Sequence, residues 1–71
     1  MTIHNQILAL GHLEDALAIE DKDFTFSPDG PFVNVYDVEN KLVLKAYIGK
    51  DGSIGRMLMD ILVEMECEGL I

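Results

Sequence analysis

The segment Pro31 to Gly49, PFVNVYDVENKLVLKAYIG, constrains the fold more than any other stretch. Two apolar runs flank Glu39-Asn40, so a two-residue turn there sets a register. It places Val38 opposite Lys41, Tyr36 opposite Val43, Val35 opposite Leu44, and Val33 opposite Ala46. Because alternate side chains of a strand point to opposite faces, one face carries Val33, Val35, Leu42, Leu44, Ala46 and Ile48. The other carries Phe32, Asn34, Tyr36, Val43, Lys45 and Tyr47. A slip of one residue would mix the two sets. Asn40 tolerates the positive φ such a turn needs, whereas Glu39 suits its first position poorly.

The flanking segments predict helices. Residues 3–20 place Ile3, Ile7, Leu10, Leu13 and Leu17 on one face, widened by Ala9 and Ala16, with Thr2 as N-cap. Gly11 weakens the middle of this helix by about 1 kcal/mol relative to Ala. Leu8 and Ile19 fall on the opposite side, with His4, His12 and Asp15. After the charged connector Glu20–Asp23, Phe24-Thr25-Phe26 reads as a short strand, and Ser27-Pro28-Asp29-Gly30-Pro31 as a turn. Gly49-Lys50-Asp51-Gly52 reads as a second turn and Ser53 as an N-cap. In residues 54–67 the apolar stripe is Ile54, Leu58, Ile61, Leu62 and Met65, with Met57 at its edge. Arg56, Asp60, Glu64 and Cys67 fall on the other side, and Gly69 sits where a helix C-cap glycine belongs.

The predicted architecture is therefore α+β: a helix near 3–19, strands near 23–27, 32–38 and 41–48, and a helix near 53–67. The three strands form an antiparallel meander, and both helices cover its Val/Leu face. The 71 residues make one small acidic domain, whose core supplies a stability of only a few kcal/mol.

Thirteen acids against five bases give a net charge of −8. That balance argues against direct nucleic-acid or anionic-membrane binding, both of which favour clustered Lys and Arg. It suits a protein partner with a basic surface. Cys67 is the only cysteine, so no internal disulfide forms, which predicts a cytoplasmic location. The N-terminus lacks the basic n-region and long apolar run of a signal peptide, and no apolar run approaches a membrane span.

No catalytic motif is present. Ser27 and Ser53 have turn and cap roles, and the glycine and lysine order around Gly49-Lys50 does not match a phosphate loop. His12 and Asp15 are helical neighbours, but His4 lies two turns from His12, short of the three or four convergent ligands of a metal site. The expectation is no enzyme, no cofactor and no metal. Two surfaces are candidates for partner binding. The first is the open sheet face, with Phe32, Tyr36, Val43 and Tyr47 around Asn34 and Lys45, an aromatic composition typical of interfaces. The second is the carboxylate row Asp60, Glu64 and Glu68, spaced about 6 Å apart along a helix, close to the spacing of phosphates on a nucleic-acid strand. Two functions follow as expectations. One is a stoichiometric binding module for a basic protein, in its sharpest form a phage-type inhibitor of a nucleic-acid-binding host protein, such as an anti-CRISPR or DNA mimic. The other is a structural homodimer that pairs open faces or edge strands.

Overall fold

A computed structural model describes residues 2–49 and 52–71. The elements run α1 (Ile3–Ile19), β1 (Thr25–Asp29), β2 (Phe32–Tyr36), β3 (Leu42–Tyr47) and α2 (Ile54–Cys67). The strands form one antiparallel sheet in the order β1-β2-β3. This is the α-β-β-β-α arrangement that the sequence predicts. α1 lies against β1, α2 lies against β3, and the helices touch each other. Ala9, Leu10 and Leu13 of α1 and Met57, Ile61 and Met65 of α2 share one buried cluster with Phe26, Val33, Val35, Ala46 and Ile48. Both helices therefore cover the same sheet face, and the other face stays open.

Local chemistry accounts for the helix ends. The Thr2 hydroxyl accepts from the Asn5 amide at 3.2 Å, and the Ser53 hydroxyl accepts from the Arg56 amide at 3.2 Å. Each satisfies one of the four amides that a helix start leaves without a partner. At the end of α2 the Leu70 amide donates to the Met65 carbonyl and the Gly69 amide to the Glu66 carbonyl. This is the Schellman pattern, with Gly69 at φ 73° in the left-handed position. α1 ends with the same two bonds, from Lys22 to Leu17 and from Asp21 to Ala18, but its left-handed residue is Asp21, at φ 60°.

The hairpins depart from expectation in two places. β1 begins and ends two residues later than predicted: Ser27, Pro28 and Asp29 pair with Asn34, Val33 and Phe32. Only Gly30-Pro31 forms that turn. The Pro31 ring holds its own φ negative, so Gly30, at φ 61°, supplies the positive φ. Pro28 is tolerated because β1 is an edge strand.

The second hairpin is not closed by a two-residue turn at Glu39-Asn40. The Asp37 amide donates to the Lys41 carbonyl and the Asn40 amide to the Asp37 carbonyl, so the loop is Val38-Glu39-Asn40, with Asn40 at φ 62°. Asp37 fastens it: its Oδ1 accepts from the Glu39 amide at 2.9 Å and the Lys41 amide at 3.0 Å. The extra loop residue moves Tyr36 opposite Leu42 rather than Val43. A bulge then restores the expected register, and Val35 meets Leu44, Val33 meets Ala46, and Phe32 meets Tyr47. The expected faces are mixed at this point. Leu42, expected on the covered face, is exposed, and Val43, expected on the open face, is half-buried against the core.

Both helices are also rotated from the expected phase. The covered row of α1 is Gln6, Leu10, Leu13 and Leu17 with Ala9, while Ile3, Ile7 and Ala16 are exposed. In α2 the fully buried row is Met57, Ile61 and Met65, with Ile54, Leu58 and Leu62 half-buried along one flank. Met57 is central rather than peripheral. Asp60 and Glu64 lie on the other flank of that row, half-buried, instead of opposite it. The predicted turn at Gly49-Lys50-Asp51-Gly52 falls partly outside the described residues.

Candidate functional site

The rotation of α2 brings together residues that the sequence assigns to separate surfaces. Between the end of β3 and α2 lies an open cavity of about 420 Å³, lined by Tyr47, Ile48, Gly49, Arg56, Asp60, Val63 and Glu64. Tyr47 belongs to the aromatic face, and Asp60 and Glu64 belong to the carboxylate row. Phe32 joins through Tyr47: the rings meet edge to face, with centroids 5.6 Å apart at 69°. Tyr47 remains 52% exposed in this contact.

The carboxylates of the groove differ in their surroundings. Asp60 Oδ1 accepts from Arg56 Nε at 3.1 Å, a helical i,i+4 pair, and its side chain is 27% exposed. Glu64 Oε2 is buried, and among the described residues no group donates to it. A carboxylate oxygen buried without a donor is costly to the fold. Glu68, the C-cap residue of α2, is exposed and outside the cavity. The three carboxylates thus differ in exposure and pairing, in contrast to the uniform solvated row that their spacing suggests.

The rest of the open face forms its own network. Lys45 Nζ bonds the Asp29 carboxylate, lies 3.4 Å from Asn34 Oδ1, and stands 5.1 Å from the centre of the Phe32 ring. The hydrogen bond and charge of Lys45 hold the Asp29 carboxyl below its ordinary pKa. Tyr36 is half-buried at the far end of β2, four residues or about 13 Å along the strand from Phe32. With Val43 turned toward the core, the aromatic cluster reduces to Phe32 and Tyr47, with Tyr36 apart.

A second cavity, of about 360 Å³, lies where α1 meets the start of β1 and the second hairpin loop, with Glu14, Asp15, Asp23 and Asp37 around Phe24. Two of these acids already serve the backbone. Asp37 holds the loop, and Glu14 Oε2 accepts from the Phe26 amide at 3.0 Å. Glu14 thereby occupies a main-chain donor on edge strand β1, one way in which a sheet edge is protected from further pairing. Nothing in the sequence pattern marks Glu14 for that part. His4, His12 and Asp15 are exposed on α1, and among the described residues no group of three or more His, Cys, Asp or Glu could hold a metal ion. Cys67 is exposed, and no described helix is long and apolar enough to cross a membrane. Ile48, Gly49, Arg56 and Val63 are the groove residues that the sequence reading leaves out of the site; the Arg56–Asp60 spacing is the signal that points to Arg56.

No family model matches the chain, and no curated protein or solved structure is significantly similar to it.

Proposed function

We propose that the chain is a protein-binding module that acts by stoichiometric occupation of a basic partner surface. The observation that carries this is the groove between β3 and α2, where exposed aromatic and apolar side chains (Tyr47, Val63) border carboxylates under a net charge of −8. Aromatic anchors ringed by polar groups are the usual source of binding energy, and surface charge raises the rate of encounter. The narrower form, a nucleic-acid mimic of the kind a phage directs at a host nuclease or CRISPR complex, draws on Glu64 and Glu68 more than on Asp60, whose charge Arg56 offsets.

The test uses a partner captured from the native host on the immobilised chain. The expected partner is basic, binds at fixed stoichiometry, and is released by about 0.5 M salt as screening shortens the range of the charges. The triple variant Asp60→Asn, Glu64→Gln, Glu68→Gln, isosteric at each position, should slow association and flatten its salt dependence, whereas Tyr47→Ala should mainly speed dissociation. An unchanged association rate and salt slope in the triple variant would remove these carboxylates from recognition. A dimer of the chain alone, insensitive to salt, would favour the homodimer that pairs open faces.

A further inference from the structure

We propose that the outer edge of β3 takes up an extended, basic segment of the partner as a fourth, antiparallel strand, seated between that edge and α2. This rests on the basic-partner reading and gives it a mode of contact. The two edges of the sheet differ in their free donors. In an antiparallel strand the N–H and C=O of one residue point to the same side, and successive residues alternate sides. On β1, Glu14 Oε2 accepts from the Phe26 amide, so Phe26 and Pro28 are the residues that turn their main chain outward. The first donor is occupied and proline has none, so the β1 edge between them offers no free donor. On β3 the Ile48 amide donates inward to the Pro31 carbonyl. Ile48, Ala46 and Leu44 therefore face β2, and Lys45 and Tyr47 turn their N–H and C=O outward. Among the described residues no side chain, loop or cap accepts from either of these amides.

Neither a charge nor a helix closes this edge. Lys45, the side chain that would guard it, reaches back across the open face to Asp29 on β1 and stands over the Phe32 ring. α2 leaves room beside the strand, since the open cavity of about 420 Å³ lies between its Asp60 and Val63 and the β3 end at Tyr47, Ile48 and Gly49. A strand laid there alternates its side chains. Residues opposite Lys45 and Tyr47 share the open face, where the half-exposed Tyr47 ring offers a cation–π contact. The residue between them lies opposite Ala46, on the side of α2, where Ile48 and Val63 are apolar neighbours. Main-chain bonds then supply affinity and the alternate side chains supply specificity. Charge selects the occupant. Lys45 and Arg56, the cations of β3 and α2, are each held by a carboxylate, Asp29 and Asp60, in a chain of net charge −8. A second copy would bring the same negative charge to the edge, whereas a basic strand is attracted to it.

The probe is acetyl-Lys-Val-Lys-Val-Lys-amide, added to the ¹⁵N-labelled full chain, with amide exchange against water read by NMR. In the free chain the Lys45 and Tyr47 amides should exchange much faster than those of Leu44, Ala46 and Ile48. Peptide at about five times its Kd, itself on the order of millimolar, should slow Lys45 and Tyr47 about sixfold, the factor 1 + [L]/Kd, and leave the other three as they were. Methylation of the lysine amide nitrogens keeps the charge and side chains but removes the donors that face β3, and should abolish the effect. The acidic acetyl-Glu-Val-Glu-Val-Glu-amide should bind at least about fivefold more weakly. Lys45→Pro removes an outer donor and no ladder bond, and should lose the protection at Tyr47; should it fail to fold, the peptide arms still decide. Unchanged exchange at Lys45 and Tyr47, or equal binding of the methylated or the acidic peptide, would each overturn the proposal. Protection in the free chain that grows with protein concentration would assign the edge to a second copy and overturn the basic occupant. The two readings fail separately. A captured basic partner that leaves both amides exchanging freely overturns strand addition and leaves the binding module standing; strand addition by the peptide without any basic partner in the host overturns the module and leaves the edge.

Discussion

Met57 and Met59 offer a controlled test of how α2 sits on the sheet. They are the same residue type in the same helix, two positions apart, but Met57 is 1% exposed and Met59 is 59% exposed. Truncation of either to Ala makes the same chemical change and the same gain in helix propensity, at most a few tenths of a kcal/mol. The difference between the two therefore isolates burial. Removing a fully buried methionine forfeits about 1.5–3 kcal/mol of transfer energy, and the cavity left behind brings the total to about 2–5 kcal/mol. A chain of 71 residues has a total stability of about 3.5–11 kcal/mol at the usual 0.05–0.15 kcal/mol per residue. Met57→Ala should thus remove a large part of the stability, and Met59→Ala should stay within about 0.5 kcal/mol of the parent. Urea unfolding followed by helical circular dichroism reads the difference directly. With a slope near the low end for small proteins, about 1 kcal/mol per molar urea, the two midpoints should lie at least about 1.5 M apart. Equal losses would mean that α2 is turned about its axis relative to the structure, or that a second copy covers Met59; repeating the measurement at tenfold lower protein concentration separates these, since only the second depends on concentration.

Two further predictions concern the loops and the open face. Asp21→Gly should stabilise the protein by about 0.5–1 kcal/mol, seen as a rise of several degrees in Tm, because glycine adopts the left-handed φ of the α1 C-terminus without a Cβ penalty and the exposed Asp21 side chain makes no hydrogen bond or ion pair among the described residues; an unchanged or lower Tm would refute this. Lys45→Met should raise the Asp29 pKa toward the ordinary carboxylate range, measured by NMR titration of its carboxyl. In the parent the depressed pKa contributes stability that is present above about pH 4 and lost as pH falls through the native value, so the variant should show a weaker dependence of stability on pH across that acid range; an Asp29 titration identical in both proteins would contradict the pairing.

The order of elements was legible because periodicity and capping chemistry agree along the chain. Thr2, Ser53 and Gly69 each take the cap position their side chains favour, and the 3.6 and 2.0 residue periods do not overlap. The hairpin register was legible over Phe32–Val35, where burial of the Val33 and Val35 face fixes it, and not at Tyr36, where the loop decides. The clue lay in Glu39, a poor first residue for a two-residue turn. Asp at the start of the loop and Asn three residues on suit a type I turn followed by a left-handed residue, and the Asp37 carboxylate then has two amides to accept from. The bulge at Val43 follows as compensation, since the buried pairs beyond it cannot shift without exposing the core.

Helix phase was less legible, and the residues responsible also make the groove. A count of apolar positions centres α1 on Ile3, Ile7 and Leu10, but Gln6, Leu10, Leu13 and Leu17 form the row that spacing at i, i+4, i+7 and i+11 lays on the core, and Gln6 is buried with them despite its polarity. In α2 the Met57-Ile61-Met65 row places Asp60 and Glu64 three residues beyond Met57 and Ile61, on its flank, and turns Val63, 48% exposed, to the outer edge. Stability alone would favour the opposite exchange, apolar groups inward and carboxylates outward. A half-buried Glu64 with an oxygen that lacks a donor among the described residues, beside an exposed Val63 and Tyr47, is a local departure from that rule, and departures of this kind concentrate where a surface is shaped for something other than its own fold. The proposed binding surface and the local cost to the fold thus meet at one place, the groove between β3 and α2, where Val63 and Tyr47 are exposed and Glu64 is half-buried.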